Sequence, residues 1–238
     1  MKLFQYWDTG QPPDEVAGWI EGFRVKNPNL EHRLYDRDTA SWFIRKNLGP
    51  REQRAFDACA VPSMQANYFR LSAVLTKGGF YADADLQCLE SLKSLRGLSS
   101  DALLLVWNGA MTNSFLMFRQ RQDPFLAACL TLATENIEAR RFDTSYASTG
   151  PAILNAIRAA LDPSWMEAMH REDAVCRELK ALAHGSVARP KEVRESIAAL
   201  TLTHFLAADR WIGTEQPAYK TTSRHWLNWK GSIYLEAS

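Results

Sequence analysis

The residues best suited to chemistry in this sequence are two aspartates, Asp83 and Asp85, which are separated by a single alanine. On an extended backbone, residues two apart point to the same face, so the two carboxylates would converge. Converging carboxylates repel each other unless a cation lies between them, and Mg²⁺ or Mn²⁺ accepts such oxygen ligands while staying open to phosphate. The pair predicts a divalent cation site, although in an irregular loop the same pattern is more often a solvated acidic turn.

A second polar pair precedes the aspartates. Asn67 and Arg70 stand three residues apart in the segment 61–77, whose pattern predicts a helix that ends at Gly78. Residues three apart share one face of a helix, so both side chains could look toward the aspartates. The guanidinium of Arg70 suits a phosphate, a sugar hydroxyl or one of the aspartates. The alternative is an ordinary surface arginine.

The elements that must position these residues alternate between strand and helix patterns, which indicates an α/β fold with a parallel sheet. Because such sheets bind ligands beyond the carboxyl ends of their strands, we expect the aspartates at that edge. Asp38 is predicted to cap the helix 36–48, and the pattern after residue 200 is too weak to assign. Strands are predicted at 3–7, 30–35, 80–82, 102–107 and 114–118, and helices at 14–26, 36–48, 61–77, 124–140, 150–161, 164–183 and 190–199.

The composition is that of one large folded domain that can bury a core, since 46% of its 238 residues are apolar and 23% are charged. The net charge of +1 excludes a broad electrostatic surface for nucleic acid. No apolar run is long enough to span a membrane, and the N-terminus lacks a signal-peptide pattern. We therefore expect a cytoplasmic protein with at most peripheral membrane association, in which the four dispersed cysteines are free thiols.

Longer motifs surround the chemical residues. The segments 65–71 (QANYFRL) and 78–85 (GGFYADAD) resemble the signature of the DxD sugar-binding glycosyltransferases, and weaker matches follow the same order at 4–7, 27–29, 32–36, 113–117 and 148–151. The pattern is similar to glycosyltransferase family 32, which includes yeast initiating α-1,6-mannosyltransferases, animal α-1,4-galactosyltransferases and bacterial capsule enzymes. It is distantly similar to the clostridial glucosylating toxins.

The resemblance implies a GT-A fold, a Rossmann-like and mostly parallel sheet flanked by helices, in a single domain 1–238 with a helical C-terminal part. Residues 1–120 would bind the nucleotide-sugar, and residues 121–238 would form the acceptor side and close the site. The resemblance further implies a UDP- or GDP-sugar donor, a glycan or glycolipid acceptor, an Mn²⁺ or Mg²⁺ ion, and transfer that retains the anomeric configuration.

The resemblance also assigns roles to individual residues. Asp85 would bind the metal directly. Asp83 would reach the ribose or sugar hydroxyls, and the metal through water. Arg70 would contact the donor sugar or Asp83. Two departures from the family pattern are Asn67, where the family has Asp, and Phe4, where it has His. The implied residues are, as catalytic, Asp83, Asp85 and Arg70; as donor-binding, Trp7, Gln5, Asn67, Arg70, Gly79, Tyr81, Asp83, Trp226 and Trp229; as metal-binding, Asp85, Asp83 and His225; and as acceptor-binding, Asn108, Asn113, Thr149 and Gly150.

Other interpretations of the same residues stay open. Haloacid-dehalogenase-type phosphatases also carry an Asp-x-Asp after a strand, but near their first strand and followed by Thr or Val, where this chain has Leu86. A non-catalytic sugar-nucleotide-binding module would be compatible with Asn67. An effector-type transferase would keep the chemistry and modify a protein. The aromatic tail 223–232 could pack on the domain surface instead of closing the site.

Overall fold

A six-stranded, mostly parallel sheet forms the centre of the protein, as the sequence predicted. The computed structural model describes residues 1–97, 100–162, 164–165, 174–204, 211–213, 215–221 and 228–235. Its strands are β1 (Lys2–Tyr6), β2 (Glu31–Tyr35), β3 (Gly79–Ala82), β4 (Gln87–Cys88), β5 (Ala102–Trp107), β6 (Ala110–Phe118), β7 (Leu200–His204) and β8 (Ile212–Gly213). The sheet order is β2-β1-β3-β6-β5-β7, with β6 antiparallel to both of its neighbours, while β4 pairs with β8 in a separate ribbon.

Helices flank the sheet and make up most of the described part of the C-terminal half. Proline is the first residue of five of them, where its missing N–H and fixed φ are compatible with a helix start. Among the described residues, no helix combines the length and the apolar character needed to cross a bilayer. The helices are α1 (Asp14–Lys26), α2 (Arg37–Asn47), α3 (Pro50–Asp57), α4 (Pro62–Lys77), α5 (Pro124–Glu138), α6 (Ser145–Ser148), α7 (Pro151–Leu161), α8 (Ala174–Ser186) and α9 (Pro190–Ala198).

The strands bury both faces because successive side chains alternate between them. Phe4 and Tyr81 belong to the larger core that the sheet shares with α4 and α5. Leu3 and Phe80 belong to a second core that includes Phe23 of α1. The end of β3 is therefore packed on both sides. Asp83, two residues beyond Tyr81, follows on the side of the sheet that α4 covers.

The structure corrects one local prediction and adds two elements that were not predicted. Asp36, not Asp38, caps α2, because its carboxylate accepts from the Thr39 N–H at 2.8 Å while the Thr39 hydroxyl bonds back to the Asp36 main chain. The Gly49-Pro50 pair ends α2 but also begins α3, which was not predicted. The unassigned region after residue 200 supplies β7, which extends the sheet beside β5.

The hairpin β5–β6 overhangs the carboxyl end of β3. Phe115 of β6 pairs with Ala82, the last residue of β3. The first half of β6, which begins at Ala110, therefore continues beyond the end of β3. A two-residue Asn108-Gly109 turn with positive φ at both positions joins the strands, as favoured in tight hairpins. The hairpin tip thus forms a wall at the sheet edge where the aspartates lie.

Candidate active site

The two aspartates lie in a turn directly after β3, so the alternation of side chains along an extended backbone does not apply to them. The N–H of Asp83 donates to the carbonyl of Ser114 in β6 at 2.7 Å, and the N–H of Leu86 donates to the carbonyl of Asp83 at 3.1 Å. The turn nevertheless brings both carboxylates to the wall of one cavity. That cavity lies at the carboxyl ends of β1 and β3, the edge at which open α/β sheets bind ligands.

Arg70 holds Asp83 in place from α4. Its Nη2 donates to Asp83 Oδ1 at 2.6 Å, and its Nη1 donates to the carbonyl of Asn113 at 2.6 Å. The guanidinium also lies over the ring of Tyr81, 4.7 Å from the centroid. Arg70 is only 3% exposed, which excludes the ordinary surface arginine and confirms that α4 turns this residue toward the aspartates.

The site concentrates negative charge in a partly desolvated place. Burial raises the pKa of the Asp83 carboxyl to about 6, with Arg70 opposing the rise and the charge of Asp85 adding to it. The Tyr81 hydroxyl donates to Asp83 Oδ1 at 3.1 Å. Burial raises the pKa of Tyr81 well above its ordinary range, so the phenol stays protonated and remains a donor. An additional cation would favour the ionised form of Asp83.

Asp85 is held by residues 215–221, which we call the C-terminal strap and which were not among the predicted site residues. The Tyr219 hydroxyl donates to Asp85 Oδ2 at 2.6 Å, and the Lys220 ammonium lies 3.0 Å from the same oxygen. The ring of Tyr219 meets that of Trp7 edge to face, with the centroids 5.1 Å apart. The strap therefore joins the expected metal ligand to the aromatic residue at the end of β1.

The cavity has a volume of about 560 Å³. Its walls come from the end of β1, the turn after β3, α4, the β5–β6 hairpin, α6, the first residue of α7 and the strap. Trp7, which was predicted to bind the donor, is one of the residues that line this cavity. Its indole Nε1 is buried and has no hydrogen-bond partner among the described residues. A buried unsatisfied donor is unfavourable, and a ligand oxygen could satisfy this one.

Asn67, the departure from the family pattern, also lines the cavity. Its Oδ1 accepts from Nδ2 of Asn113 at 3.1 Å, and both residues are buried. An aspartate at position 67 would still accept this bond, but it would add negative charge close to Asp83. Asparagine retains the acceptor without the charge, so the substitution is compatible with the local network.

Two predicted donor-binding residues, Gln5 and Gly79, are buried inside the protein and do not line the cavity. Gln5 is fully buried; its Oε1 lies 2.8 Å from Nε2 of His32, and its Nε2 donates to the main-chain carbonyl of Asp83 at 3.4 Å. Gly79 begins β3, at the opposite end of the strand from Asp83. A Cβ there would lie 2.5 Å from the carbonyl oxygen of Lys2, and φ is +110°. Gly79 is thus required by the close approach of β1, not by a donor.

The predicted acceptor residues separate into two groups. Asn113 lines the cavity, whereas Thr149 is fully buried and donates its hydroxyl to the carbonyl of Met64 at 3.3 Å. Gly150 is buried at the start of α7, where a Cβ would lie 2.7 Å from the Tyr146 carbonyl. Thr149 and Gly150 therefore shape the α6–α7 junction rather than the cavity surface.

The hairpin tip and α6 contribute cavity residues that sequence reasoning missed. Asn108, predicted to bind the acceptor, is exposed in the turn with φ +48°. Its neighbour Trp107 lines the cavity and is 45% exposed. Ser145 and Tyr146 of α6 line it as well. The signal for Trp107 was an aromatic residue directly before an Asn-Gly turn.

The aromatic tail is described only in part. Trp229 is 37% exposed, and its indole N–H donates to the carbonyl of Ser232 at 3.2 Å, a contact within the tail itself. Tyr234 anchors the end of the tail through a hydrogen bond from its hydroxyl to the carbonyl of Phe142 at 2.9 Å. His225 and Trp226 lie outside the described residues, so their metal-binding and donor-binding roles stay predictions.

The chemistry of the aspartates fits a divalent cation shared with a ligand. Within the described ranges, no three His, Cys, Asp or Glu side chains gather closely enough to hold a metal by themselves. Mg²⁺-type ions are commonly bound through one or two carboxylates and complete their shell with water and substrate phosphates. Asp83 and Asp85 supply such a pair beside a cavity large enough for a ligand.

Comparison with known proteins agrees with this geometry. Residues 13–103 match the family model described as the glycosyltransferase sugar-binding region containing a DXD motif. This part of the chain is similar to the DXD glycosyltransferases. The matched region contains α4, β3 and both aspartates, which confirms the resemblance stated from the motifs. Members of this family generally bind a divalent metal.

Two curated relatives are themselves glycosyltransferases. The chain is 24% identical over 94 residues to the initiation-specific alpha-1,6-mannosyltransferase of Schizosaccharomyces pombe, covering 37% of this chain and 24% of that protein. It is 24% identical over 98 residues to the uncharacterized glycosyltransferase L373 of Acanthamoeba polyphaga mimivirus, covering 40% and 39%. The matches thus span less than half of either relative.

A solved structure shares the fold over a longer part of the chain. The PaToxG glycosyltransferase superposes with a TM-score of 0.56 at 12% identity, covering 83% of this chain and 85% of that one. The similarity at this identity concerns the fold alone. It confirms the predicted GT-A architecture.

Proposed function

We propose that this protein is a metal-dependent, retaining hexosyltransferase that moves a sugar from a UDP- or GDP-sugar to a glycan or glycolipid acceptor. We further propose that it acts in the biosynthesis of a bacterial polysaccharide or glycolipid, in line with the resemblance to capsule enzymes. The observation that carries the proposal is the position of Asp83 and Asp85 on the wall of a cavity that also contains Arg70 and Trp7.

The donor-side residues have distinct chemical parts in this proposal. An Mn²⁺ or Mg²⁺ ion at Asp83 and Asp85 would supply positive charge for the diphosphate as the glycosidic bond breaks. Arg70 and Tyr81 orient the Asp83 carboxylate through two hydrogen bonds. Trp7 offers the nucleotide a ring and an indole N–H that has no partner within the described part of the chain.

Retention of configuration requires no base from the protein in this scheme. An acceptor hydroxyl that arrives on the side of the leaving phosphate can transfer its proton to a phosphate oxygen. The protein then has to hold the acceptor and the diphosphate on one face of the sugar. Orientation of this kind lowers the barrier without a covalent intermediate.

Trp107 favours a glycan acceptor. It pairs with Ala110 across the β5–β6 turn. Ala110 lies four residues before Ser114, whose carbonyl accepts the hydrogen bond from the N–H of Asp83. Four residues of strand cover about 14 Å, so Trp107 stands at the rim of the cavity, well away from the aspartates. An exposed aromatic face at that distance suits the apolar face of an acceptor sugar ring.

Screening UDP- and GDP-hexoses for hydrolysis by mass spectrometry, with Mn²⁺, Mg²⁺ or EDTA, tests the proposal. We expect slow, metal-dependent hydrolysis of at least one donor and faster turnover with a suitable glycan. Tight nucleotide binding without turnover on any acceptor would support a binding module instead. Transfer to protein but not to glycan would support an effector-type enzyme, and phosphatase activity without a nucleotide-sugar would contradict the proposal.

A further inference from the structure

The C-terminal strap places two donors on the same oxygen of Asp85. The Lys220 ammonium and the Tyr219 hydroxyl both contact Oδ2, at 3.0 and 2.6 Å. The strap is anchored independently of this contact, because the N–H of Ala218 donates to Glu15 of α1 at 3.0 Å. Lys220 is therefore held beside Asp85 by a built segment of the fold.

The ion pair between Lys220 and Asp85 competes with any other cation at this carboxylate. The two side chains are 23% and 17% exposed, so the pair is less screened by solvent than a typical surface pair. A divalent cation that binds Asp85 would repel the Lys220 ammonium if that group stayed 3.0 Å from Oδ2. One of the two positive charges must then move away from Oδ2.

We propose that Lys220 is a donor-binding residue that Asp85 retains in the metal-free protein and releases to the donor diphosphate when a divalent cation binds Asp85. This inference rests on the proposed function. Ligands of Mg²⁺ and Ca²⁺ lie about 2.0–2.6 Å from the ion, so phosphates that shared a cation with Asp85 would lie within a short movement of Lys220 Nζ. The flexible four-carbon stem of lysine permits that movement while the strap stays anchored.

If Lys220 moves from Asp85 to the diphosphate, a single substitution should change the affinities for Mn²⁺ and for the nucleotide in opposite directions. Lys220→Met removes the competing charge, so Mn²⁺ should bind more tightly when no nucleotide is present, by about fivefold for an ion pair of this kind. The same substitution removes a charge-assisted bond to the diphosphate. UDP or GDP should therefore bind about tenfold more weakly in saturating Mn²⁺. A residue with a purely structural role would not produce this reversal.

The experiment measures Mn²⁺ binding by electron paramagnetic resonance without nucleotide, and then UDP and GDP binding by calorimetry in saturating Mn²⁺. Lys191→Met, at an exposed lysine of α9 that lies 4.0 Å from Glu195, is the matched control and should leave both affinities unchanged. Lys220→Arg keeps the charge and should stay within about threefold of the wild type in both measurements. Circular dichroism melting confirms that each variant is folded.

The outcomes separate the inference from the proposed function. If Lys220→Met leaves Mn²⁺ binding unchanged or weakens it, or leaves nucleotide binding unchanged, the inference is overturned while the donor site stands. If the wild-type protein binds neither Mn²⁺ nor a nucleoside diphosphate, the proposed function fails and the inference fails with it. Tighter Mn²⁺ binding together with weaker nucleotide binding supports both.

Discussion

Replacing Arg70 by methionine should destabilise the protein strongly, because it leaves the Asp83 carboxylate without its cation. Breaking a buried ion pair costs about 3–5 kcal/mol. The Arg70 side chain is 4% exposed but that of Asp83 is 24% exposed, so we expect the lower end of the range, about 3 kcal/mol. Because small domains have total stabilities of about 5–15 kcal/mol, the variant should still fold.

The cost should grow with pH. Burial raises the pKa of Asp83 to about 6, so the stability that its protonated form contributes is present at low pH and is lost as the pH rises through the folded value. Without Arg70, the pKa should rise further, and the carboxyl would be protonated over a wider range. The substitution should therefore cost less near about pH 5 than near about pH 8.

Urea denaturation of metal-free protein, followed by far-ultraviolet circular dichroism, measures these differences. Adding Asp83→Asn to the Arg70→Met variant removes the stranded charge and should restore about half of the loss. Arg51→Met is the control: its pair with Glu138 is 2.7 Å long, but the side chains are 47% and 44% exposed, so the cost should be about 0–1 kcal/mol. Equal losses in the Arg70 and Arg51 variants, or no recovery in the double variant, would refute the reasoning.

Two further substitutions test other parts of the structure. Gly79→Ala should destabilise the protein by about 3 kcal/mol or more, because its Cβ would collide with the Lys2 carbonyl at positive φ. Gly18→Ala has open space around it in α1 and should stabilise the protein by as much as about 1 kcal/mol. Thermal unfolding that ranks the two variants in the opposite order would contradict the role given to Gly79 in β3. Trp107→Ala should raise the KM for the acceptor about tenfold and leave donor hydrolysis unchanged. An equal loss in both reactions would remove Trp107 from the acceptor side.

Local patterns predicted most of the fold that carries the site. The helix of residues 61–77 and the strand after it were recognised from a regular apolar face, a proline start and a glycine end. These elements alone place Arg70 and Asp83 at the same edge of the sheet. The bond between them at 2.6 Å was one of the alternatives that their spacing allowed.

The remaining features depend on contacts that no local pattern records. β7 is defined by pairing with β5, almost a hundred residues earlier. The contact of Tyr219 with Asp85 spans 134 residues. Thr149 and Gly150 matched a motif, but a motif does not show whether a residue faces a cavity or the packing beneath it. The turn that holds Asp83 and Asp85 was not predicted, because residue spacing cannot distinguish an extended backbone after a strand from a turn.

The proposed function requires that Asp85 takes part in the reaction chemistry and is not merely an acidic residue in a cavity. The most direct test compares kcat/KM for donor hydrolysis in Asp85→Asn with that in Asp8→Asn, a carboxylate of the same cavity outside the motif. We expect a loss of at least about 100-fold for Asp85→Asn, as when a group that stabilises developing charge is removed, and a change within about threefold for Asp8→Asn. Retained activity in a folded Asp85→Asn variant, or equal losses in the two variants, would contradict the proposed function.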